Sequence, residues 1–343
     1  MRNWRGWPES DYLKTCAGLA LVARPVKEGA IFPFPTHAPH ISDQAMSQST
    51  QVATQGRSTF LVSILALLGA ALAMSISPSL VRFADVGPLS SAFWRVFLAV
   101  PVLWLWMRAE ESQPGRSKGK SWSLPILLTG LFFAGDLLLW HLAIMKTSIA
   151  NATFFATMAP IWVVIFGWLV LGQRVSRSTL VGLGLCLGGG TTLISQSLGL
   201  DAGRAVGDAL AIGTGVFFGL YFLAVGAARK DTGAARVTFE MSLITIAILL
   251  VAALVVEGDI MPHSANGWGV LLALALVSHA GGQGLLSVAL GRLPTVFSSL
   301  VIFLEAVAAA GFAWVLQGEP VSVLQAIGGA IILGGIWIAR PRN

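Results

Sequence analysis

Apolar residues dominate ten stretches of the chain, at 60–81, 89–107, 123–145, 149–171, 178–197, 207–228, 237–256, 267–290, 295–316 and 321–339. Short breaks of charged or turn-forming residues separate them. Roughly 20 apolar residues cross the hydrocarbon core as a helix, since lipid offers backbone groups no partner. The pattern predicts an all-α membrane protein with ten transmembrane helices. The second five stretches reprise the first at a shift of about 146 residues: Gly172-Gln173 falls on Gly318-Glu319, Trp168 on Trp314, Gly182 on Gly328, and Gly188-Gly189 on Gly334-Gly335. Five is an odd number of crossings, so the second unit enters from the opposite side. Two inverted five-helix repeats are expected, at 59–197 and 206–340, after a poorly ordered cytoplasmic extension at 1–58 that is rich in proline and polar residues.

The chain is 55% hydrophobic and 11% charged, which leaves little for a soluble domain and puts function inside the bundle. Its net charge of +6 does not indicate nucleic acid, because the cations are scattered between apolar stretches. They read as topology signals. With a cytoplasmic N-terminus, the inner connections carry twelve cations (Arg108, Arg116, Lys118, Lys120, Arg174, Arg177, Arg229, Lys230, Arg236, Arg292, Arg340, Arg342) and the outer ones three (Arg82, Lys146, Arg204). Both termini are therefore expected in the cytoplasm, in a bacterial-type inner membrane. Cys16 and Cys186 lack metal-ligand spacing, and no cofactor or metal is expected. Met46 is a candidate alternative start, which leaves open whether residues 1–45 belong to the native protein.

Inverted repeats build two equivalent halves whose exchange of conformation opens a midplane site to either side in turn, an architecture suited to transport. Ala92-Phe93-Trp94-Arg95, Gly135-Asp136 with Trp140-His141, Thr147-Ser148, Ala159-Pro160 and Gly172-Gln173 together resemble the drug/metabolite transporter superfamily in its EamA-type ten-helix branch. The resemblance covers roughly residues 60–340 and implies a secondary transporter, with export of amino acids or related metabolites as its expected activity. Two positions depart from the family pattern. Gln173 stands where an acidic residue is common, and Glu305 falls where the first repeat has Ala159.

An ionisable side chain near the bilayer centre costs about 3 kcal/mol or more, so such residues line a cavity or find partners. Arg95, Asp136, His141, His279 and Glu305 qualify. Asp136, His279 and Glu305 fall near the middle of their stretches, with Arg95 and His141 nearer the outer face. Trp140, four residues from Asp136, shares its helix face, whereas His141 lies about 140° away around the helix. An ion pair between Arg95 and Asp136 is sterically within reach. Glu305 and His279 are candidate proton carriers, with Gln283 one turn from His279 as a polar companion. Tyr221, with Phe217 and Phe218, either lines a cavity or packs in the core. Arg236 and Glu240, one turn apart, read as a surface ion pair. Pro78 and Pro160 interrupt their helices and are candidate gates. The glycines of 182–190 and 328–335 serve close helix packing rather than a nucleotide loop.

The reading favoured is a secondary transporter of small organic, amino-acid-like solutes that works by alternating access, with proton coupling as an option. Its partners are the solute and the lipid bilayer, and either a monomer or a homodimer is compatible. A channel-like facilitator or a membrane sensor on the same fold is the alternative. An enzyme is not expected: an intramembrane aspartyl protease needs two aspartates sharing a proton, and Asp136 is the one aspartate in the middle of an apolar stretch.

Overall fold

A computed structural model describes residues 43–114, 119–147, 149–195, 204–318 and 321–341. The chain divides into two units, Met1–Ala53 and Thr54–Asn343, and the second contains the bundle. A helix runs over Asp43–Ser75, which takes in the last part of the extension expected at 1–58. The remainder of that stretch, 1–42, lies outside the described residues.

Each of the ten apolar stretches is helical. They are numbered α1 (Ser58–Phe83), α2 (Pro88–Glu111), α3 (Leu124–Ile144), α4 (Ala152–Leu171), α5 (Arg177–Ile194), α6 (Ala205–Ala228), α7 (Ala234–Val256), α8 (Ala265–Leu290), α9 (Thr295–Phe312) and α10 (Val323–Ala339). Eight of them are long and apolar enough to cross a membrane; α10 is shorter, and α5 is diluted by glycine. Several are interrupted. α1 breaks at Ile76 ahead of Pro78, α2 at Leu98 and Ala99 ahead of Pro101, and α4 at Met158 ahead of Pro160. A proline ring removes an N–H and clashes with the preceding turn, which accounts for these three. α9 breaks at Ile302 without a proline, and α8 widens into a π-helix over Leu274–Gln283.

The tightest helix pair in the molecule is α5 against α10. Lipid is as apolar as leucine, so burial alone does not draw helices together, and small residues that allow close approach must do so. A Cβ added to Gly182 would sit 2.6 Å from the Gly335 carbonyl, and one on Gly189 would sit 2.7 Å from that of Gly328. The early position on α5 thus meets the late one on α10, and the late meets the early, so the helices run antiparallel. The two contacts are equivalent in the repeat, since Gly182 corresponds to Gly328 and Gly335 to Gly189, so each contact maps onto the other. Between them Cys186 Sγ lies 3.6 Å from the carbonyl of Ile332, its own equivalent 146 residues on. A contact in which equivalent positions exchange roles is the signature of a two-fold axis, which here crosses the seam near Cys186 and Ile332.

The local structure repeats as well. α4 ends on Gly172 at φ 62°, and its equivalent Gly318 has φ 70°, left-handed values that favour glycine. The next helices start on equivalent serine caps: Ser176 Oγ accepts from Thr179 N at 3.1 Å, and Ser322 Oγ from Gln325 N at 3.2 Å.

α2 and α7 are strapped at both ends. At one, the Glu257 carboxylate accepts from Leu89 N at 2.7 Å and Ser90 N at 2.8 Å, sealing the start of α2, and Trp94 Nε1 donates to Ile260 O at 2.6 Å. At the other, Glu110 Oε2 accepts from Ala235 N at 2.9 Å at the start of α7. There Glu111, equivalent to Glu257, forms an ion pair with Arg236, equivalent to Ser90. Arg236 also meets Glu240 at 3.1 Å. Glu240 accepts from Ser121 Oγ and Trp122 N and is only 3% exposed, so the expected surface pair is a buried network that ties the start of α3 to α7.

Candidate functional site

A cavity of about 60 Å³ lies inside the bundle, with room for a few water molecules. The helix irregularities converge on it. Ser77 and Pro78 follow the break in α1, Ala156 and Thr157 precede the break in α4, Gln283 ends the π-helix of α8, and Glu305 lies in the first turn after the break in α9. Interrupted helices free polar groups at membrane depth, which is tolerated where they face a cavity. Arg95 from α2, Asp136 and Trp140 from α3, and Phe218 from α6 complete the polar and aromatic wall.

Of the residues expected at the site, Arg95, Asp136, Trp140, Gln283, Glu305 and Pro78 therefore share one cavity. Arg95 is 5% exposed and Asp136 8%. The Arg95 guanidinium donates from Nη1 to Ser77 Oγ at 3.1 Å, while its Nε has no hydrogen-bond partner. No ion pair within 4.0 Å joins Arg95 to Asp136 among the described residues, so the direct pair considered from the sequence gives way to a looser arrangement. One guanidinium shares the cavity wall with two carboxyl groups, Asp136 and Glu305. The Thr153 hydroxyl, also in the wall, is buried without a partner.

The other expected residues stand outside that wall. Tyr221 is fully buried and supports it from behind, its hydroxyl donating to Gln283 Oε1 at 2.7 Å; Gln283 in turn points Nε2 at Met74 Sδ, 3.2 Å away. His279 packs on Phe133 and sets Nε2 2.9 Å from Ser242 Oγ. His141 donates from Nδ1 to the Leu137 carbonyl at 2.6 Å. Pro160 lies beyond the break it causes in α4 and is not among the lining residues. Ser77 and Thr153 were not singled out from the sequence, because hydroxyl residues in membrane helices ordinarily bond to their own backbone and carry no signal. Among the described residues no cluster of three or more His, Cys, Asp or Glu could hold a metal ion.

Beyond the spans, the Asp85 carboxyl is held below its ordinary value chiefly by the Ser264 hydroxyl, which donates to it at 2.7 Å and ties the α1–α2 connection to the start of α8.

Broken helices around a small polar cavity, in a bundle of helices long and apolar enough to cross a membrane, are the frame of a multi-pass membrane protein with an internal polar site. The chain belongs to the EamA-like transporter family, whose model matches twice, over residues 61–195 and 205–340. A pseudopaline exporter of Pseudomonas aeruginosa is 24% identical over 244 residues, covering 70% of this chain and 82% of that one. A threonine/homoserine exporter of Escherichia coli is 28% identical over 227 residues, covering 62% of this chain and 70% of that one. A solved crystal structure with 18% identity superposes with a TM-score of 0.68, over 82% of this chain and 97% of the other, and shares its fold.

Proposed function

We propose that this membrane transporter exports small zwitterionic organic solutes of the amino-acid class by alternating access, with Arg95 receiving the solute carboxylate and Asp136 with Glu305 receiving its ammonium group. The observation that carries this reading is the cavity itself: one buried guanidinium with an unpartnered Nε faces two carboxyl groups, a charge pattern complementary to a zwitterion. Trp140 and Phe218 supply apolar surface for a side chain. At about 60 Å³ the cavity is smaller than such a solute, so the site must widen as helices move about their breaks. The two-fold seam between α5 and α10 supports two equivalent halves that exchange conformations. Export as the direction draws on what the two relatives are named for. Both termini are assigned to the cytoplasm, on the bias of cations between helices.

Glu305 is the coupling group in this reading, since it faces Arg95 and Asp136 in the cavity and an acid that exchanges its proton for the solute links the two fluxes. An imposed pH gradient across proteoliposomes is expected to drive solute flux in the wild type and not in Glu305→Gln, while equal-pH exchange persists in the variant. Gradient-driven flux at wild-type rate in Glu305→Gln removes the coupling role.

A further inference from the structure

A second cavity, of about 850 Å³, opens at the end of the bundle where α4, α6, α8 and α10 finish and α5 and α9 begin. It is separate from the central site, sharing none of its lining residues. Arg174, Arg229, Lys230, Arg292 and Arg340 line it, with hydroxyls from Ser176, Ser178, Thr179 and Thr295, and no acidic side chain is among the described lining residues.

The topology rule explains why cations gather at this end. It does not explain why five of them share one hollow, while Arg236 at the same end is paired with Glu111 and Glu240 outside it. Helix dipoles do not neutralise the hollow either. Four helix C-termini meet here, and at about half an elementary charge each they offset about half of the charge on Arg174, Lys230, Arg292 and Arg340. The wall is also partly fixed. Arg229 donates from Nε to Ser287 O at 2.7 Å and from Nη1 to Thr232 O, and Arg340 stacks on Trp337 at 3.5 Å. A concave, one-signed surface of this volume, within the range of small-molecule sites, concentrates counter-ions.

We propose that this vestibule binds a multivalent oxyanion, a small molecule or headgroup carrying carboxylate or phosphate, held chiefly by Arg174 and Arg292, with Lys230 and Arg340 in the same wall. Arginine forks present paired donors to the two oxygens of such groups. The site does not depend on the central cavity's substrate and is tested by binding, without flux.

Thermal unfolding of the full purified chain, titrated with citrate against sodium chloride of matched ionic strength, reads the site directly. Citrate is expected to raise the melting temperature saturably. R174Q/R292Q is expected to need about ten-fold more citrate, a loss of about 1.4 kcal/mol, and R174K/R292K, which keeps the charge but loses the forks, an amount between that and wild type. Citrate and chloride acting alike, or R174Q/R292Q titrating as wild type, would overturn the proposal. Should R174Q/R292Q fail to fold, the wild type alone decides. Its citrate midpoint must rise several-fold as added salt shortens the screening length from about 10 Å toward about 3 Å, and a salt-independent midpoint overturns the site. Repeating the titration in nanodiscs identifies the source of the anion. Competition by phosphatidylglycerol supports the site with a lipid headgroup as its ligand, and an unchanged midpoint supports it with a free solute.

Discussion

Arg95 is held by a single hydroxyl, that of Ser77, among the described hydrogen bonds, and keeps an unpartnered Nε at the cavity wall. Asp136 and Glu305 line the same cavity and are the acidic groups available to it there. Arg95→Lys keeps the charge but loses the fork, so the protein should fold with a melting temperature near wild type while solute affinity falls about ten-fold or more, read from the concentration dependence of counterflow. Unchanged affinity would relieve Arg95 of solute contact. Arg95, Asp136 and Glu305 were legible in the sequence because a charge inside a twenty-residue apolar stretch has no cheap explanation. His141 and His279 were equally conspicuous, yet the fold buries them against Leu137 O and Ser242 Oγ outside the cavity. Titratable chemistry marks a residue as unusual; only the rotation of its helix decides what it faces. Ser77 and Thr153 were invisible for the opposite reason.

At the scale of the helix, the α5–α10 seam makes a paired prediction. Gly189→Val places branched carbon where Gly328 O and Ile332 lie within 3 Å of the first added atom, and the resulting overpacking should cost about 1–3 kcal/mol, seen as a lower melting temperature. Gly184→Ala, on the same helix with nothing within 4 Å, should be neutral or stabilise by up to about 1 kcal/mol. Equal effects of the two would deny that the seam holds the halves together. The glycine spacing was readable beforehand, as were the breaks at Pro78 and Pro160. The break ahead of Pro101 follows the same rule. The π-helix ending at Gln283 and the break at Ile302 have no proline to announce them. No local residue signal in the sequence marks them, so they are seen only in the folded chain.

For the whole molecule, the straps between α2 and α7 and the seam between α5 and α10 tie the two repeats to each other. Glu257 caps the start of α2 with two backbone hydrogen bonds and one from the Ser90 hydroxyl. Glu257→Ala should lower stability by about 1–2 kcal/mol, measured by thermal unfolding, because the freed N–H groups lose a charged acceptor at a helix N-terminus. No change in unfolding would leave that strap without structural weight. The inverted arrangement was legible from the offset of 146 residues, and the exchange of equivalent positions at Cys186 and Ile332 gives it a physical axis.

The account stands or falls on saturable exchange through the central cavity. Proteoliposomes preloaded with unlabelled amino acids and related zwitterions should take up labelled solute by counterflow with wild-type protein, and lose that uptake in Asp136→Asn. Linear, non-saturating flux would make the protein a pore, and counterflow unaffected by Asp136→Asn would place the solute somewhere other than the cavity that Arg95, Asp136 and Glu305 define.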